Sequence, residues 1–128
     1  MNKLIIDVAN EKIFLMVITN LSIYNITHEN TKSNYEKLTI IIDDFLLSKN
    51  LKIANINAIY INMGPGSFAG IRNSISVVKA FNLVKNIDYY CYNLDDFKDE
   101  KDLSYENIPG LCKKYEIKKN LINPIYIS

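Results

Sequence analysis

The stretch Ile59-Tyr60-Ile61-Asn62-Met63-Gly64-Pro65-Gly66-Ser67-Phe68-Ala69-Gly70-Ile71-Arg72 decides how the rest of the chain is read. Residues 58–63 form a short apolar run bounded by Asn57 and Gly64, which fits a buried strand better than a helix. The run passes through the turn Gly64-Pro65-Gly66-Ser67 into a segment with helical spacing that extends to about Lys85. Two readings of the turn compete. A strand that turns directly into a helix leaves unpaired amides where the helix dipole favours an anion, so Gly64, Gly66, Ser67 and Gly70 are candidates to surround a phosphate. In the other reading Gly64 and Gly66 serve tight backbone geometry and Gly70 serves close helix packing. No Walker lysine follows, and the glycine spacing is not that of the dinucleotide fingerprint. Ser67 reads as a helix N-cap.

Upstream, residues 3–9, 12–19 and 21–27 are short β-rich stretches separated by one or two polar positions, which predicts hairpin-connected strands. Residues 34–49 carry apolar side chains at helical spacing, with Ser33 or Asn34 as the N-cap. Downstream, residues 89–92 read as another strand, 95–102 as an acidic loop, 105–119 as a helix after Pro109-Gly110, and 124–128 as a short apolar tail. The order β-β-β-α-β-α-β predicts an α/β domain with a mixed sheet and flanking helices.

A chain of 128 residues is long enough for one core, and its 48% hydrophobic content supplies it. With 15 Lys+Arg against 14 Asp+Glu the net charge is +1, so the whole chain lacks the basic excess of a nucleic-acid binder. Lys113-Lys114 and Lys118-Lys119 cluster, but Asp95, Asp96, Asp99, Glu100 and Asp102 stand before them, and both groups read as solvated surface. Cys91 and Cys112 are too few and too far apart for a metal knuckle or a disulfide framework, which implies a reducing compartment and no cofactor. Asp7 interrupts what would have to be the apolar part of a signal peptide, and no run approaches a membrane span. The expected location is cytoplasmic, with no membrane partner.

The string Gly-Pro-Gly-Ser-Phe-Ala-Gly-Ile-Arg at 64–72 resembles the signature of the TsaB (YeaZ) family and, more loosely, of its catalytic relative TsaD. An opening strand ending in Ile6-Asp7, an amphipathic helix some thirty residues in, and Pro-Ile-Tyr-Ile at 124–127 line up in the same order. The resemblance implies a single actin-like (ribonuclease H-like, ASKHA) lobe over residues 1–92, with 93–128 a reduced remnant of the second lobe packing on the first. The chain departs from the family where that second lobe would stand. It departs again at Val8-Ala9-Asn10, where the family has a threonine and a small residue.

A catalytic site is not expected. An actin-like nucleotide site needs two lobes closing on the phosphates, and half of that cleft is absent. TsaD-type chemistry resembles a metal-dependent transfer with paired histidines, whereas this chain has only His28. No Ser/His/Asp or Cys/His set assembles, and Asp43 and Asp44, adjacent on a helix, point about 100° apart. The expectation is therefore no catalytic residue, no metal and no cofactor.

The helices suggest association instead. Tyr35, Leu38, Ile41, Ile42, Phe45 and Leu46 form one broad face for the sheet, leaving Ile40 and Leu47 outside it. In the second helix Val77, Ala80, Phe81 and Val84 form one stripe and Ile71, Ile75 and Val78 another, so each helix carries more apolar surface than one sheet can cover. Ile40, Leu47, Ile71, Ile75 and Val78 are thus the expected partner interface. The resemblance implies a TsaD-type catalytic subunit as partner, a TsaE-type ATPase joining the assembly, a second copy of the chain as the alternative partner, and tRNA met only indirectly. The leading reading is a non-catalytic subunit that activates TsaD in forming threonylcarbamoyl-adenosine. Its rivals are a homodimeric binding module that has lost that role, and a small nucleotide-binding enzyme using the glycine turn.

Overall fold

The computed structural model describes residues 1–122 and the backbone of residues 126–127. Pro124 and Ile125, which the sequence reading placed in the closing motif, lie outside the described residues.

Strands β1 (Lys3–Asp7), β2 (Lys12–Ile18), β3 (Ile23–Glu29), β4 (Ala58–Asn62) and β6 (Asp88–Tyr92) form a mixed sheet in the order β3-β2-β1-β4-β6. The first three pair antiparallel, with Ile5 opposite Met16 and Leu15 opposite Ile26, while β4 runs parallel to both β1 and β6. A two-residue strand β5 (Gly66–Ser67) pairs in parallel with β7 (Tyr126–Ile127). Neither was expected from the sequence, since two residues carry no periodicity.

Alternation of side chains sends Leu4, Ile6, Ile13, Leu15, Val17, Ile59 and Ile61 to one face, where α2 (Leu38–Ser48) and α3 (Phe68–Lys85) cover them. Ile5, Met16, Ala58, Tyr60 and Tyr92 point to the other face and meet Phe97, Ile108, Leu111 and Cys112. The central strands β1 and β4 are buried on both sides, which is why they read as unbroken apolar runs.

The helix expected over residues 34–49 divides in two. Thr31 caps a single turn, α1 (Lys32–Tyr35), by accepting from the Asn34 amide, and the chain restarts as α2 at Leu38. On α2 the buried residues are Leu38, Ile42, Phe45 and Leu46, as the helical wheel implies. The helix expected over 105–119 shrinks to α4 (Ile108–Lys114), with Pro109 in its first turn, after a 3-10 turn at Tyr105–Asn107. Beyond it the chain returns along β6. The Asn120 amide donates to the Tyr89 carbonyl, and the Asn120 side chain accepts from the Tyr89 amide and donates to Asp88. That edge of the sheet is thereby covered.

The rotation of α3 differs from the wheel reading. Gly70, Ile71, Ser74, Val78 and Phe81 are its buried residues, while Ala80 and Val84 are exposed and Val77 is half-buried. The start of α3 is pressed against the carbonyls of Val8 and Ala9 through Gly70 and Gly66, and this contact sets which row faces the sheet.

Candidate functional site

The end of β1, the end of β4 and the start of α3 converge on Asp7. This carboxylate is buried, a costly position unless hydrogen bonds replace its hydration. They do: the Ala9 amide donates to Oδ1 at 3.0 Å, the Asn62 side-chain amide to Oδ2 at 3.1 Å, and the Tyr105 hydroxyl to Oδ2 at 2.7 Å. Asn62 reaches Asp7 because β4 runs parallel to β1 with Ile61 beside Ile6, which brings the two strand ends level. Tyr105 arrives from far along the chain and stacks on Phe14 with ring centroids 3.8 Å apart. Burial, with the Asp7 carboxylate beside it, pushes the Tyr105 phenol well up, and burial does the same to Tyr92. Tyr105 thus stays a donor, and Asp7 ties two strand ends to the segment beyond residue 93.

The glycine turn is closed in the same way. A Cβ at Gly66 would stand 2.4 Å from the Ala9 carbonyl oxygen, and one at Gly70 would stand 2.1 Å from that of Val8. Both glycines are required by this approach. The Ser67 amide donates to the Ala9 carbonyl at 2.9 Å, the Gly70 amide to Ser67 Oγ at 3.3 Å, and the Gly64 amide to Asn62 Oδ1 at 2.9 Å. Gly64, with φ of 118°, precedes a cis bond to Pro65. Three amides of the turn are engaged internally, a geometry that favours the packing reading of the glycines over a phosphate cradle.

Beside Asp7 a cleft of about 960 Å³ lies between the β1–β2 turn, Ser67, Phe14 and Tyr105. Its one lysine, Lys12, is ion-paired with Glu29. Among the described residues no group of three or more His, Cys, Asp or Glu is placed to hold a metal ion. His28 lies on β3 opposite Ile13, and Asp43 and Asp44 lie on α2. Burial pushes the thiols of Cys91 and Cys112 up to about 12.

The expected interface residues separate. Ile40 and Leu47 stand in solvent on α2, 59% and 56% exposed. Ile71 and Val78 are instead core residues, and Ile75 is half-buried against the same core. These three are corrected from partner surface to sheet packing, because the glycine contact turns that row of α3 inward. The large apolar side chains that α3 exposes are Phe68, Leu83 and Val84. Sequence reasoning missed Leu83 and Val84 for that reason, and it missed Tyr105 because nothing local marks a contact 98 residues away. Asn62 was detectable as the polar end of an otherwise apolar strand.

A family model described as TsaD, tRNA N6-adenosine threonylcarbamoyltransferase, matches residues 25–93, more than half of the chain. No curated protein matches it. Among solved structures, YeaZ from Pseudomonas aeruginosa is similar with a TM-score of 0.66 and 18% identity, covering 72% of this chain and 43% of that one. RuvC from Thermus thermophilus, solved in complex with a Holliday junction substrate, is similar with a TM-score of 0.54 and 10% identity, covering 98% of this chain and 85% of that one. The chain thus spans less than half the length of YeaZ, and its fold is the actin-like, ribonuclease H-like fold of these structures. No described helix is long and apolar enough to cross a membrane. With the family model matched over more than half of the chain, the chain belongs to the TsaD family.

Proposed function

We propose that the chain is a non-catalytic, TsaB-type subunit that binds a TsaD-type catalytic subunit in the cytoplasm and activates it in forming threonylcarbamoyl-adenosine on tRNA. The observation that carries this reading is the outer surface of the two long helices. α2 and α3 cover the same face of the sheet, yet Ile40, Leu47, Leu83 and Val84 remain in solvent. Apolar side chains left in solvent on two helices that touch offer an association surface. The internal engagement of Asp7 and of the turn amides supports a role without a reacting group. Activation is then a matter of differential contact, the chain binding the competent conformation of its partner better than the idle one. A TsaE-type ATPase joins the assembly in this scheme, and tRNA is met through the partner.

The test is light scattering on size-separated mixtures of the chain with the TsaD-type subunit of the same organism, with and without Ile40→Asp and Leu47→Asp together. A heterodimer lost in the double variant is expected. A chain that stays monomeric beside that subunit contradicts the proposal, and one that forms only homodimers supports the binding-module rival.

A further inference from the structure

Beside α4 the second face of the sheet is incompletely covered. A cavity of about 420 Å³ opens there, with Tyr60 of β4 and Tyr90 of β6 among its lining residues. The two rings stack with centroids 5.1 Å apart and an interplanar angle of 13°. Tyr60 is only 8% exposed, and its hydroxyl has no hydrogen-bond partner among the described residues. It is not among the sealed-off polar atoms either, so it meets the cavity. A phenol this deep ordinarily finds a partner for its O–H. Burial and the neighbouring Tyr90 push it up to about 12, which leaves it a proton donor at neutral pH.

Gly110 is the second observation. It lies inside α4, where glycine is the poorest helix former after proline, and a Cβ there would meet nothing within 4 Å. Packing therefore does not require it, in contrast to Gly66 and Gly70. It lines the cavity and keeps that wall free of a side chain. The third observation is charge. Lys3 and Lys113 line the cavity without a carboxylate at ion-pair distance among the described residues, whereas Lys12, Lys32, Lys114 and Lys119 each have one. Glu116 is the lone acid of the lining, so the site carries an excess positive charge.

We propose that this cavity binds a small single-ring acid, its carboxylate or phosphate drawn to Lys3 and Lys113, its ring against the tyrosine pair, and an acceptor atom on the Tyr60 hydroxyl. The volume falls within the range of small-molecule sites. The site lies on the face of the sheet opposite α2 and α3, and its occupancy does not depend on the partner proposed above.

The test is titration of the isotope-labelled full chain with phenyl phosphate and with benzoate, read from backbone amide shifts, with benzyl alcohol as the uncharged control. Saturable shifts of Tyr60, Tyr90 and Leu111 to Lys113 are expected with at least one acid, at a Kd below about 1 mM. Gly110→Leu, built into open space, should leave the unfolding midpoint unchanged or raise it and weaken binding at least about tenfold. Tyr60→Phe should weaken binding roughly fivefold, the ordinary worth of one hydrogen bond. If Gly110→Leu unfolds the chain, Lys113→Gln serves in its place and should weaken acid binding alone. The proposal is overturned if neither acid saturates, if benzyl alcohol binds as tightly as the acids, or if the folded variants bind as the parent does.

Discussion

On one face of the sheet Leu4, Ile6, Ile13, Leu15 and Val17 meet two long helices, and on the other Ile5, Met16, Tyr60 and Tyr92 meet a seven-residue helix and single 3-10 turns. The first face is aliphatic and closed by helices long enough to have a separate outer surface. The second is rich in tyrosine and closed by pieces too short to seal it, so it relies on hydrogen bonds to Asp7 and leaves a cavity beside α4. A long amphipathic helix has an inner and an outer side, and one can serve the core while the other serves a partner. A single short turn has no such surplus, and the polar ends of strands beneath it must be satisfied by individual side chains.

Substitutions should separate the two faces. Leu46→Ala, on the helix-covered face, is expected to cost about 4 kcal/mol in urea unfolding, and Leu111→Ala, on the thinly covered one, about 2 kcal/mol. Equal losses would break the comparison. Tyr105→Phe should cost about 2 kcal/mol, because it removes the 2.7 Å donor from a buried carboxylate and leaves an oxygen underserved.

Alkaline stability sharpens the contrast. The thiols of Cys91 and Cys112 rise from 9.0, and the phenol of Tyr60 rises from 10.0, each to about 12 in the folded chain. Above those ordinary values the unfolded chain releases protons that the folded chain still holds, so stability must fall as pH rises. Unfolding free energy under reducing conditions should be nearly flat from pH 7 to 8.5 and then decline, by roughly 2 kcal/mol for each of the two thiols at pH 10.5. Cys91→Ser should leave most of the decline, since Cys112, Tyr60, Tyr92 and Tyr105 belong to the second face. The smallest effect on stability belongs to Ile40→Asp with Leu47→Asp, expected within about 0.5 kcal/mol of the parent because both sites are in solvent.

The same contrast explains what was legible in the sequence. The strands and the inner face of α2 follow from alternation and helical spacing, and residues 58–67 announce a strand, a turn and an N-cap through Gly64, Gly66 and Ser67. The rotation of α3 was not legible. Its apolar residues form two stripes, and the choice between them is made by backbone contact of Gly66 and Gly70 with the β1–β2 turn. The break between Tyr35 and Leu38 escaped because Thr31 caps one turn while the apolar spacing runs on without interruption. The second face was the least legible, since Tyr105, Ile108 and Leu111 reach the sheet from a segment of weak periodicity. The candidate site shares this division. Asp7 and the glycines stand out locally, while Tyr105, which completes the arrangement, does not.

The central claim is that the chain acts through the outer surface of α2 and α3 and not through Asp7. Its most direct test is tRNA threonylcarbamoylation by the TsaD-type subunit, measured alone, with the parent chain, with Asp7→Asn shown to be folded, and with Ile40→Asp plus Leu47→Asp. The account predicts stimulation by the parent and by Asp7→Asn, and none by the surface variant. Stimulation that survives the surface change and disappears with Asp7→Asn would contradict it.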